Sequence, residues 1–194
     1  MGDTLMRDEI EAHFHMADAM RAEVAGIEKI AAAIWDSLSG DGRLYAFGNG
    51  GSASEALHFT GELVGRYKAE RAPLAALALP ADVAALTCIG NDYAFDEVFA
   101  RQLRAHARPG DIAVGFTTSG RSANVVKGLD AARAAGAATV LFTGEAGRDA
   151  ARDADHAFIS PSTTTARIQE MHQLAMHLIC ARIDQFATQL STEA

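Results

Sequence analysis

The sequence predicts an α/β fold, a three-layer, doubly wound sheet of about five parallel strands with a long helix added in front. Three observations predict it. Short, nearly continuous apolar runs alternate with helical patterns from residue 43 onward, as in parallel strands covered on both faces. A near-heptad apolar stripe precedes them. Two loops of unusual composition, 48–52 and 117–122, fall at the carboxyl ends of expected strands, where such sheets bind ligands near a topological switch point.

Residues 5–38 read as one helix. Apolar positions fall at Ile10, Phe14, Ala17, Met20, Val24, Ile27, Ala31, Ile34 and Leu38, in steps of three and four, and "SGDG" stops the pattern. So long a helix ahead of the domain proper needs something to pack on, and a neighbouring subunit is the natural candidate. "RLYAFGNG" is a short strand ending in glycines, followed by a helix over 53–64. "PLAALAL" is the second strand, followed by "DVAALTCIGND" and a helix near 96–106. "DIAVGFTTSG" is the third strand and ends in a hydroxyl-rich loop; the helix "SANVVKGLDAARAAG" follows and ends at Gly136. "ATVLFTG" and "HAFISP" are the fourth and fifth strands, and a last helix covers 165–188. With no repeat, low-complexity tract or linker in sight, residues 1–194 are expected to form a single domain. Within it, 5–38 is the oligomerisation helix and 43–194 the α/β core.

The 194 residues are enough for a sizeable core. The net charge of −8, with no Lys/Arg cluster, argues against a nucleic-acid partner, which needs a basic stripe. An acidic protein still binds a phosphorylated metabolite through backbone amides and hydroxyls. The start, "MGDTLMRDEIEAHFH", is charged and has no apolar segment, so no signal peptide is expected. No apolar run reaches membrane-spanning length, and a cytoplasmic protein without a membrane partner is expected. Cys88 and Cys180 stand in apolar contexts and read as reduced, buried thiols.

Both unusual loops suit an anion. In "GNGGS" the glycines let the backbone approach a ligand, and the following helix directs its free N–H groups there. In "TTSGRS", Thr117, Thr118, Ser119 and Ser122 place hydroxyls ahead of another helix N-terminus. Neither loop has the Gly-Lys-Ser/Thr of a mononucleotide P-loop or the Gly-x-Gly-x-x-Gly dinucleotide spacing, so a small sugar phosphate fits better than a nucleotide. Capping explains any one serine about as well, since Ser52-x-x-Glu55 has the form of a capping box and Ser122 is a good N-cap, but it does not explain Thr117, Thr118, Ser119 and Ser122 together, which favour phosphate.

His58 and Glu62 stand at i and i+4 on one helix face. That spacing suits two ligands on one metal, a base beside its orienting partner, or an exposed helix-stabilising pair; spacing alone favours the last, and the neighbouring glycine turn brings the chemical readings level with it. On the last helix, Gln169 and His177 differ by about 80° around the axis and about 12 Å along it, so two long side chains leaning together just reach a common ion. His172 lies off that line, about 140° from His177, and a lone histidine set among Leu174, Met176, Leu178 and Ile179, as His177 is, reads by itself as a core histidine rather than a ligand. His13, His15, His106 and His156 read as surface residues.

"GNGGSASEALHFTGELVGRY", "GNDYAF", "TTSGRSANV" and "RIQEMHQLAMH" together resemble the sedoheptulose 7-phosphate isomerases (phosphoheptose isomerases) of the sugar isomerase (SIS) fold, which is flavodoxin-like. The likeness runs nearly the full chain. It implies that Asn49, Gly50, Gly51, Ser52, Asn91 and Asp92 line the substrate and that Thr117, Thr118, Ser119 and Ser122 hold its phosphate. It implies one Zn2+ per subunit at His58, Glu62, Gln169 and His177, with Glu62 as the catalytic base and His177 as its acid partner. Glu62 and Gln169 then also touch substrate. A homotetramer with active sites at subunit contacts is implied as well. The reaction would take sedoheptulose 7-phosphate to D-glycero-D-manno-heptose 7-phosphate through an enediol, for lipopolysaccharide or another surface glycan.

Three positions depart from the family pattern. Glu55 stands where many members have Asp, Ala166 where some are acidic, and Thr117 where some have Ser. Two rival readings follow from the same motifs. A non-catalytic SIS branch that binds the bacterial replication initiator has sequences similar to "RIQEMH" and "DEVFARQLRA", but it lacks the equivalents of Glu62 and His177, which are both here. An isomerase or sensor for another sugar phosphate would share the phosphate loop.

Overall fold

The structure, a computed structural model, describes residues 2–193. The chain is helical through the expected N-terminal segment, but as two stretches, α1 (Gly2–Ala19) and α2 (Val24–Ser39), joined by a tighter 3₁₀ turn at Met20–Glu23. The apolar stripe divides there. Ile27, Ile30, Ala31, Ile34 and Leu38 of α2 are buried, while Leu5, Met6, Ile10 and Phe14 of α1 are exposed.

Beyond them the order is β1 (Leu44–Gly48), α3 (Gly51–Val64), β2 (Ala76–Ala78), α4 (Val83–Asp92), α5 (Ala100–His106), β3 (Ile112–Thr117) and α6 (Ala123–Ala134). It continues with β4 (Ala138–Gly144), α7 (Arg148–Ala151), β5 (His156–Ser160) and α8 (Thr165–Glu193). The strands form one sheet in the order β2-β1-β3-β4-β5, every pair parallel. This is the doubly wound order whose switch point lies between β1 and β3.

Strand alternation sorts the side chains into two layers. Leu44 and Ala46, Ile112, Val114 and Phe116, Val140 and Phe142, and Phe158 face α2, α3 and α8. Tyr45 and Phe47, Ala113 and Leu141 face the other way, toward α5 and α6. Since β1 and β3 are buried along their whole length, their sequences read as apolar runs rather than alternating ones.

The edges differ from the sequence expectation. Of "PLAALAL" only Ala76–Ala78 pairs, as an edge strand beside β1. "DVAALTCIGND" is a helix, begun by Asp82, whose side chain accepts from the Ala85 N–H at 2.9 Å. Residues Phe95–Glu97 form a 3₁₀ turn, so α5 begins later than expected. Cys88 is exposed, against its reading as a buried thiol: Ile89 is the residue that α4 buries, and Cys88 faces outward with its thiol on Asp92 Oδ2 at 3.5 Å. Cys180 is buried as expected, and burial pushes its thiol up to about 12. Among the described residues no helix is long and apolar enough to cross a membrane.

The segment after α3 has no regular structure yet is firmly held. Asp184 of α8 accepts from the Lys68 and Ala69 N–H groups at 2.9 and 2.8 Å and from Arg71 Nε at 3.0 Å. The Arg71 guanidinium also donates to the carbonyls of Glu62 and Leu63 at the end of α3, at 2.7 and 2.8 Å. Both side chains of the pair are more than nine-tenths buried. Burial alone would raise the Asp184 carboxyl; the two backbone N–H groups and Arg71 outweigh it and hold it below the usual range. Its contribution to stability is therefore present above the ordinary aspartate pKa and is lost as the pH falls through the lower, folded value. Removing one partner leaves a buried charge uncompensated, so Asp184→Ala should cost about 3–5 kcal/mol in urea denaturation at neutral pH.

Candidate active site

The turn after β1 is built from backbone constraints. Gly50 has φ +56° and ψ −121°, a conformation that side-chain-bearing residues rarely adopt, and it is the residue from which α3 starts. A side chain at Gly51 would strike Gln169 Nε2, so the turn and α8 are in close approach. The expected capping box is absent. The N-cap is Gly50, Ser52 lies buried inside the first turn of α3, and Glu55 turns inward to α8. Asn49 exchanges two hydrogen bonds with Asn124 of α6, each 2.8 Å, which ties the turn to the far side of the switch point.

The loop after β3 closes on itself. Thr117 Oγ1 and Ser122 Oγ are 2.9 Å apart, Ser119 Oγ accepts from the Arg121 N–H at 3.2 Å, and Gly120 takes φ +67° to let the chain turn. Ser122 occupies the N-cap position of α6 but makes no capping bond with its side chain; its hydroxyl is directed to Thr117 instead. Hydroxyls gathered ahead of a helix N-terminus form an arrangement that takes an anion.

About two turns into α3 begins the group of side chains that carries chemistry. Donor atoms of His58, Glu62 and His177 all lie within 4.8 Å of one another. His58 Nε2 is 2.9 Å from Glu62 Oε1 and 3.4 Å from His177 Nε2. The His58 Nδ1 atom meets the side-chain amide of Gln173 at 2.5 Å, which keeps Nε2 turned toward the other two. Burial and the neighbouring His58 hold the His177 imidazole below the usual histidine value, with Glu62 opposing them. Neutral imidazole is the form that binds a metal. Two imidazoles and a carboxylate thus make a donor set for a divalent ion. Gln169 lies against Gly51, and the amide that reaches the two histidines is that of Gln173, four residues on.

A cleft of about 460 Å³ runs from the turn to His58, lined by Gly51, Ser54, Glu55, His58, Gln169 and Gln173, with His13 and Glu170 at its side. A larger groove of about 620 Å³ runs along α8 beside Lys68 and Asp184, but the His/Glu/His set does not line it. Asn91 and Asp92 end α4 in exposed positions and bond to each other at 2.7 Å.

His172 is fully buried among Phe116, Phe142 and Phe158. Its Nε2 meets the Thr143 carbonyl at 3.3 Å and so carries a proton, and its Nδ1 is 3.4 Å from Glu55 Oε2. The Glu55 side chain reaches from α3 to His172 of α8.

Sequence reasoning missed four residues of this region: His13, Tyr67, Asn124 and Gln173. His13 bonds Glu170 at 2.8 Å and borders the cleft. Tyr67 stacks on His177 with centroids 5.3 Å apart. Asn124 had one signal, a polar residue in the first turn of a helix that follows a ligand-type loop. The other three depend on contacts between distant elements.

A family model described as SIS domain matches residues 10–144. The phosphoheptose isomerase of Aquifex aeolicus is 46% identical over 165 residues, 85% of this chain and 86% of that one. That of Thiobacillus denitrificans is 42% identical over 187 residues, 92% and 95% of the two chains. The solved phosphoheptose isomerase of Neisseria gonorrhoeae superposes with a TM-score of 0.87 at 38% identity, covering 95% of this chain and 98% of its own. With sequence and fold both matched over most of its length, the chain belongs to the phosphoheptose isomerases of the SIS domain family.

Proposed function

We propose that the protein isomerises sedoheptulose 7-phosphate to D-glycero-D-manno-heptose 7-phosphate in the cytoplasm, supplying heptose for lipopolysaccharide or another surface glycan. The observation that carries this is the His58–Glu62–His177 group beside a glycine turn at the switch point, in a chain of this family. The initiator-binding reading has no use for Glu62 and His177, and the donor group favours chemistry.

An aldose–ketose shift moves a proton between C1 and C2. It needs a base at carbon and a proton source or Lewis acid at the carbonyl oxygen. Glu62 is the base: Oε1 engages His58, which leaves Oε2 to take the carbon-bound proton and return it to the neighbouring carbon. His177 manages the proton at the oxygen end. His58, Glu62 and His177 suit Zn2+, with Gln169 as the fourth residue by family resemblance. A bound zinc ion supplies polarisation of the carbonyl oxygen. Asn49, Gly50, Gly51, Ser52, Asn91 and Asp92 serve the sugar chain, and Thr117, Thr118, Ser119 and Ser122 its phosphate. The whole chain acts as one SIS domain. The exposed apolar stripe of α1 supports self-association, which we assign as a homotetramer.

Four substitutions test the roles. Glu62→Gln keeps the shape and removes the base, so turnover should fall at least about 100-fold in a discontinuous assay while substrate still binds; retention of most of the rate removes Glu62 from the base role. His58→Ala and His177→Ala should each lower both bound zinc and rate, and unchanged zinc by elemental analysis of both variants overturns the metal assignment. Ser119→Ala should raise KM for phosphorylated sugar, consistent with loss of about 1.5–3 kcal/mol from a hydrogen bond to a charged group, with kcat little changed.

A further inference from the structure

The imidazole of His177 is held from two directions. The ring of Tyr67 lies against it at 5.3 Å between centroids and 20° between planes. The His58 ring meets it edge-on, 5.1 Å away at 71°. A histidine on a helix has its Cα fixed by the backbone, but the torsion that turns its ring is broad and soft. A flat neighbour on one face removes that freedom. In this protein the neighbour is not on a helix or strand. Tyr67 sits in the irregular segment after α3, directly before the two N–H groups that Asp184 binds and four residues before the Arg71 guanidinium that joins Asp184 to the end of α3. The segment is thus fastened both to α8, which carries His177, and to the Glu62 carbonyl of α3. Lys68 Nζ stands 4.9 Å from the Tyr67 centroid and favours the electron-rich ring where it is.

We infer that Tyr67 is a positioning residue for His177: its ring sets the plane in which Nε2 faces His58 and Glu62, and the Arg71–Asp184 pair sets the ring. This rests on the metal-dependent isomerase reading above. Tyr67 acts through its flat face, so a phenyl ring replaces it and an aliphatic side chain of similar bulk does not.

The test compares wild type with Tyr67→Phe, Tyr67→Leu and Tyr67→Met. Zinc affinity is read without substrate, by competition with a chromophoric chelator. Isomerisation of sedoheptulose 7-phosphate is resolved into kcat and KM, and unfolding midpoints are taken on metal-free protein. Tyr67→Phe should match wild type within about twofold, while the Leu and Met variants lose about tenfold in zinc affinity and in kcat, with KM and the metal-free midpoint nearly unchanged. Leu and Met variants that bind zinc and turn over like wild type overturn the inference, as does a loss confined to the unfolding midpoint. The two readings fail separately. A wild type that binds zinc without isomerising this sugar overturns the substrate, and zinc affinity still decides the role of Tyr67. A wild type that binds no zinc overturns both.

Discussion

The parallel pairing of β1 with β3 is the constraint on which the rest depends. Gly48 lies in register with Phe116, so both strands end together and the turn after one meets the loop after the other. From that point the chain leaves in opposite directions, to β2 on one side and to β4 on the other. A crevice opens between the two exits, floored by strand ends and flanked by the starts of α3 and α6. The Asn49–Asn124 exchange closes its base. A shift of one residue in this register would separate the turn from the hydroxyl loop and would exchange the two faces of β1.

The second requirement is a fixed relation between α3 and α8, since the donor group draws on both. Packing against a common sheet face supplies most of it. Glu55 and His172 add a directional link inside that apolar layer, in surroundings where an unpaired polar group is costly. Among the described residues no side chain or backbone group bonds the second, buried oxygen of Glu55. At the far end of the donor group, Arg71 performs the corresponding task by binding the last carbonyls of α3 while paired to α8.

Much of this was legible in the sequence because it is local. Apolar runs of strand length, glycines at a tight turn and the i, i+4 spacing of His58 and Glu62 all report on neighbours within a few residues. What escaped was set by distant contacts. The 3₁₀ turn at Met20–Glu23 lies within an apolar stripe that continues through it. Ser52-x-x-Glu55 satisfies the pattern of a capping box, yet Glu55 has a stronger partner 117 positions away, and Gly50 starts the helix instead. The apolar surroundings of Cys88 suggested burial, but α4 rests on the core through Ile89 with Ala85 and Leu86 beside it, and Cys88 lies on its solvent face. Gln173 and Tyr67 carry no motif; only the fold brings them to the histidines.

The three-residue β2 has a meaning of its own. A sheet that ends in a long, regular strand presents a row of unpaired amides and carbonyls that another chain can extend. Here the outer strand stops after Ala78, and the chain passes at once into a 3₁₀ turn containing Pro80, which has no N–H to offer. The sheet therefore meets solvent on that side with almost no template for further strands. That brevity guards against sheet-to-sheet growth in a protein whose first helix carries an apolar face.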